Sequence, residues 1–139
     1  MIAINELRIG NYVFDWAKRI SIVDSIHKDE IVRLSSEGSY KQESFEIKHL
    51  NPIPLTGEIL LKCGFEYSEV SSVGLKMYDI KAGYYGKNST LKVSTLDGIE
   101  WTWYFVGEYV LMNPQRIEYL HQLQNLYFAL TNTELKIDL

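Results

Sequence analysis

One stretch near the carboxyl end constrains this chain more than any other. Met112-Asn113-Pro114-Gln115-Arg116-Ile117 runs on through Leu120, Leu123, Tyr127 and Leu130 to Thr131-Asn132. Asn113 can cap a helix by accepting from its first free amides, and Pro114 suits the first helical position, where no amide proton is needed. The apolar residues recur at helical spacing, and Asn132 tolerates the left-handed turn that ends a helix. The pattern predicts a helix from about Gln115 to Leu130, with a stripe widened by Tyr119, Leu126 and Phe128. A stripe that broad has to lie on another layer.

The remainder reads as short strands. Tyr12 to Trp16, Ile20 to Ile26 and Ile31 to Leu34 are separated by Gly10-Asn11 and by His27-Lys28-Asp29-Glu30, both turn-formers. A polar run from Ser35 to Ser44 follows. The prolines of Asn51-Pro52-Ile53-Pro54-Leu55 exclude a central strand or helix, which sets a boundary near Leu55. Thr56 then caps a short helix with Ile59, Leu60 and Cys63 inward, Gly64 as its left-handed stop and Phe65 folding back. From Phe65 to Met112 strands return. Leu75 and Met77 alternate with Lys76 and Tyr78, and Leu91 and Val93 with Lys92 and Ser94. Leu96-Asp97-Gly98 marks a hairpin, and in Glu100 to Val106 the side chains of Trp101, Trp103 and Phe105 share a face. The C-terminal helix is the expected cover for that row. Alternation in Leu135-Lys136-Ile137-Asp138-Leu139 suggests a short edge strand. The expected class is α+β: a β-subdomain over 1–55, then an α+β subdomain over 56–139 with an antiparallel sheet packed on the C-terminal helix.

Composition narrows the function. With 46% hydrophobic residues in 139, there is material for a real core. A net charge of −4 argues against a nucleic-acid backbone as the main partner. The single cysteine, Cys63, excludes an internal disulfide and a multi-cysteine zinc site. No apolar run reaches the roughly 18 residues of a membrane span and no export signal opens the chain, so a cytoplasmic protein with no membrane partner is expected. Asn88-Ser89-Thr90 then matches the glycosylation pattern by coincidence.

Reactive groups do not assemble by spacing. Cys63 near a helix end, on the apolar face, reads as a buried thiol. Glu118-x-x-His121 resembles half of a di-metal motif, but no second copy exists, and the pair reads as solvated residues beside the stripe. His27 and His49 lack partners at metal spacing, and Asp15, Asp24 and Glu100 form no recognisable acid pair. No catalytic residue, metal or cofactor is assigned, and no enzyme is expected. The most site-like region is Gly83-Tyr84-Tyr85-Gly86-Lys87. The P-loop pattern fails there, because it needs glycine at Lys81 and Ser or Thr at Asn88. Yet Lys76, Lys81, Lys87 and Lys92 face Asp79 alone, with Tyr78, Tyr84 and Tyr85 interleaved. Lysines beside aromatics hold nucleotides or single strands by charge and stacking. Lys81, Tyr84, Tyr85 and Lys87 are the candidate ligand-binding residues.

Four blocks also carry a resemblance: Leu7-Arg8-Ile9-Gly10-Asn11-Tyr12-Val13, Pro52-Ile53-Pro54-Leu55-Thr56, Leu60-Leu61-Lys62-Cys63-Gly64-Phe65, and Ile117 through Thr131. In this order they resemble small uncharacterised proteins encoded by bacterial genomes, prophages and mobile elements. That group has no established activity, so no residue role carries over. The Gly-Asn-Tyr-Val opening before three short strands is similar to small SH3-like barrels. Much packing material without a reactive constellation makes a non-enzymatic phage or mobile-element accessory protein that binds another protein the expected function. The alternative is a nucleotide or short nucleic-acid binder that counteracts host defence by sequestration. The broad apolar arc of the last helix leaves a homo-oligomer open.

Overall fold

The computed structural model describes residues 1–36, 41–70, 72–82, 89–106 and 115–139, with Glu69 and Val70 described by backbone alone. Among them, nine strands form two antiparallel sheets, one of four strands and one of five, so the class is α+β. The chain forms two compact units, Met1–Pro54 with Tyr119–Asn125 and Leu55–Glu118 with Leu126–Leu139.

The first unit is a meander of β1 (Tyr12–Phe14), β2 (Ile20–Ile26), β3 (Ile31–Ser35) and β4 (Gln42–Glu46). β1 stops two residues short of the predicted Trp16, and β4 lies in the run read as polar. The core-side positions of β4 are Glu43 and Phe45, and with only Phe45 packed on the core the alternation is too short to read. β2 carries a bulge: Val23 pairs with Leu34 and Ser25 with Arg33, leaving Asp24 as the extra residue. The extra residue shifts the face parity, so Val23 and Ile26 both reach the core. That core is Ile2, Leu7, Val13, Val23, Val32, Leu34, Ile47 and Leu50. A 3-10 turn at Ile47–His49 then returns the chain to β1, where Phe14 and Asn51 exchange two backbone hydrogen bonds of 2.9 Å.

The second unit opens with α1 (Gly57–Lys62). Thr56 Oγ1 accepts from the Ile59 amide at 3.2 Å. Gly64 has φ +84°, and the amides of Gly64 and Phe65 reach back to the Leu61 and Leu60 carbonyls. Both ends follow the sequence pattern, and the stop is a Schellman motif. Cys63 is buried, and burial pushes its thiol up to about 12, so it stays protonated and inert. The sheet follows in chain order: β5 (Glu66–Val70), β6 (Leu75–Lys81), β7 (Thr90–Thr95), β8 (Trp101–Val106) and β9 (Gln115–Ile117). Tyr78, Leu91, Val93, Trp101, Phe105 and Ile117 are its buried apolar residues among those described, sharing one face by register. α1 lies on that face: a Cβ at Gly57 would collide with the Tyr78 hydroxyl, so glycine is required there.

The last helix, α2 (Leu120–Thr131), begins five residues later than its pattern predicts. Gln115–Ile117 is strand instead, because Trp101–Trp103 offer a backbone edge: Ile117 pairs with Trp101 and Gln115 with Trp103. Tertiary pairing overrides helical periodicity here. The Asn113 cap and Pro114 lie outside the described residues. The predicted stop holds, with Asn132 at φ 55°. No strand forms at Leu135–Leu139; the Asp138 amide donates to the Lys62 carbonyl instead.

Candidate functional site

Two strands of three and seven residues must be joined tightly, and Asp15 organises the join. Its side chain is only 2% exposed. Oδ1 accepts from the Ala17 amide at 2.8 Å and the Arg19 amide at 2.9 Å, and Oδ2 from Arg19 Nε at 2.7 Å. The Asp15 amide donates to the Arg19 carbonyl and the Lys18 amide to the Asp15 carbonyl, each at 3.0 Å, with Lys18 at φ 58°. Burial pushes the Asp15 carboxyl up, but the hydrogen bonds and charge from Arg19 and the Ala17 amide outweigh it, leaving it below its ordinary value. It is therefore a carboxylate, satisfied by its own turn. The same turn leaves Trp16 66% exposed, with Ile20 also open to solvent.

Beside the tip is a cleft of about 280 Å³ lined by Asp15, Arg19, Ser21, Leu34, Ser35, Ser36, Lys41, Glu43 and Phe45. Glu43 pairs with Leu34 in register, so its side chain points to the core side of the sheet. Its Oε2 lies 3.6 Å from Arg19 Nη2. An inward-pointing charge on an edge strand discourages indiscriminate strand addition.

Away from the tip, the first unit is closed by amides. Gly10, at φ +92°, turns the chain, and Asn11 is fully buried. Gln124 accepts from the Tyr12 amide at 2.8 Å and donates to the Gly10 carbonyl at 3.0 Å. Asn125 Oδ1 accepts from Arg8 Nε and Asn11 Nδ2, while its Nδ2 donates to the Glu6 carbonyl at 2.7 Å. Two of the resembling blocks, around Arg8–Tyr12 and Gln124–Asn125, are thus hydrogen-bonded to one another. His121, read from sequence as solvated, is 0% exposed. Its ring stacks on Tyr119 at 5.8 Å, Nε2 is 3.7 Å from Glu6 Oε2, and neither nitrogen makes a hydrogen bond among the described residues. Burial lowers its pKa below the ordinary value, opposed by Glu6, so the ring is neutral at pH 7. Glu118 precedes the helix and pairs with Arg116 at 2.8 Å, so it and His121 form no helical metal motif. Among the described residues no cluster of three or more His, Cys, Asp or Glu could hold a metal.

Of the four residues singled out by sequence, Lys81 is exposed at the end of β6; Tyr84, Tyr85 and Lys87 lie outside the described residues. Lys81 lines a cleft of about 440 Å³ with Gly64, Glu66, Asp79, Ile80 and Thr90. Lys92, counted with it, is bound to Asp79 at 2.8 Å. Tyr78 is buried against Trp101 and Tyr67, so it offers no stacking face to a ligand. The Asp15–Arg19 tip escaped sequence reading, which ran the first strand on to Trp16.

No family model, curated protein or solved structure matches the chain. Among the described residues no helix is long and apolar enough to cross a membrane.

Proposed function

We propose that this is a non-enzymatic, cytoplasmic accessory protein of a phage or mobile element, acting as a protein-interaction module. Its first unit, an SH3-like β-subdomain in this reading, carries the contact surface. One observation supports it above the rest: a tryptophan held out in solvent by a turn whose buried carboxylate is satisfied from within. Tryptophan dominates protein interfaces, and a turn already fixed loses little entropy when a partner arrives. The neighbouring cleft adds Leu34 and Phe45 as apolar lining. The test is affinity capture from the native host with wild-type and Trp16→Ala baits of equal melting temperature. A stoichiometric protein held by the first and lost by the second supports the module; identical captures, or none, contradict it.

The second reading is a nucleotide or short nucleic-acid binder that sequesters its ligand. It is favoured by the exposure of Lys81 in the larger cleft and opposed by Glu66 and Asp79 in the same lining, which repel phosphate. A thermal-shift screen against cyclic and linear nucleotides decides. A rise of several degrees that vanishes in Lys81→Ala supports it, and a flat response removes it.

A further inference from the structure

We infer that the Trp16 tip and its cleft recognise an acidic segment of a partner protein, one whose Asp or Glu side chains are flanked by apolar residues. This rests on the interaction-module reading and names the partner's chemistry.

The argument is a local reversal of charge. The chain carries −4 overall. At the tip, an approaching surface meets Lys18 and Arg19, both exposed, with Lys41 lining the cleft. Asp15 is buried and accepts from three donors of its own turn, so its charge offsets that of Arg19, and Lys18 with Lys41 leave the tip cationic against Glu43. Among the described residues of the lining, Glu43 is the one exposed acid, and its 3.6 Å contact with Arg19 Nη2 is longer than a hydrogen bond. Asp15 engages the guanidinium through Nε. A partner carboxylate that displaces Glu43 from the Nη side would gain a charge-assisted hydrogen bond with planar geometry. Trp16 and Ile20 on the outside, and Leu34 and Phe45 within, give the flanking apolar side chains somewhere to pack.

The same cations beside an indole could hold a nucleic-acid strand. Two facts favour protein. The cleft, at about 280 Å³, has room for one or two side chains and falls just under the usual ligand range of roughly 300–1,000 Å³. The acidic chain also repels a polyanion at long range, whereas a short acidic segment meets mostly the tip.

The experiment is selection of a random-peptide display library on the full-length protein. Fluorescence anisotropy with the enriched peptide and with a twelve-residue oligothymidine follows. Enriched sequences are expected to place Asp or Glu beside Leu, Ile, Phe or Trp. Trp16→Ala should weaken the peptide at least about tenfold, as for a central interface aromatic. Lys18→Glu should weaken it by about two- to fivefold, more at low salt. Glu43→Gln should tighten it, because the rival carboxylate is gone. Circular dichroism confirms that each variant keeps the wild-type melting temperature. Enriched peptides that are basic or uncharged, or that bind Trp16→Ala equally well, overturn the inference and leave the module reading standing. A library that yields no saturable binder overturns both. Oligothymidine binding tighter than any peptide overturns the inference in favour of nucleic acid.

Discussion

The two units bury different chemistry. In the first, Asn11, Asp15, His121 and Gln124 all lie at 2% exposure or less. In the second, the buried polar residues among those described are hydroxyls: Ser89, Ser94 and Thr95. The contrast extends to two turns with one design. Asp15 and Asp97 each collect amide donors on Oδ1, Asp97 from Ile99 at 2.8 Å and Glu100 at 2.9 Å. Both turns push apolar residues outward, Trp16 in one case and Ile99, 81% exposed, in the other. Only the first of these turns is buried at its carboxylate and joined to a described cleft. A turn buried at its base can hold a contact residue rigidly; a turn hydrated at its base is held by fewer constraints. The lesson is that the first unit adds buried directional hydrogen bonds to its apolar core, whereas the second relies on packing with few buried polar groups among those described.

The contrast breaks if polar and apolar truncations act alike in both units. Trp101→Ala should have the largest effect, about 3–5 kcal/mol, because a large buried side chain leaves a cavity. Among the described residues its Nε1 has no hydrogen-bond partner, so Trp101→Phe should cost far less, under about 1.5 kcal/mol. Chemical denaturation of the two variants checks the gap; equal losses would place a hidden partner on the indole. Gln124→Ala comes next, at about 2–3 kcal/mol, since the Tyr12 amide and Gly10 carbonyl lose their partners. Hydrogen exchange should show the loosening within the first unit, and uniform loosening across both would refute the contrast.

Acid sharpens it further. His121 has a lowered pKa in the folded state, so the unfolded chain binds the proton more readily. Its contribution to stability is complete above about 6.5 and is lost as pH falls through the folded value. The first unit should therefore weaken below about pH 6.5, and His121→Phe should flatten that slope. A slope that survives the substitution assigns the effect to another group. The Asp15 contribution lies lower, lost only as pH falls below the ordinary carboxylate value near 3.8. The smallest effect is expected from Asp97→Ala, whose carboxylate is solvated. Its melting temperature should fall by less than that of Asp15→Ala, and the reverse order would contradict the burial argument.

Much of this fold is written locally. β2 and β3 announce themselves through apolar runs between turn residues, α1 through Thr56 and Gly64, and the end of α2 through Asn132. What stays hidden depends on distant partners. Gln115–Ile117 fits a helical pattern until Trp101–Trp103 supply an edge to pair with. Gln42–Glu46 shows no alternation because a charge, Glu43, takes one of its two core-side positions and only Phe45 packs inward. His121 looks like a surface residue until the Glu6 and Tyr119 neighbourhood closes on it. The tip was half legible: Tyr12, Phe14 and Trp16 alternate as a strand should, but nothing local says that pairing ends at Phe14 and leaves Trp16 in solvent. Of the Lys81, Tyr84, Tyr85 and Lys87 group, only Lys81 falls among the described residues.

The central claim is that the Asp15-anchored tip is the contact surface. Hydrogen exchange of the full chain, with and without a saturating selected peptide, tests it directly. The account predicts slowed exchange at residues 14–20 and 41–45 and unchanged exchange around Lys81–Thr90. Protection confined to Lys81–Thr90, or to Leu96–Glu100, would contradict it.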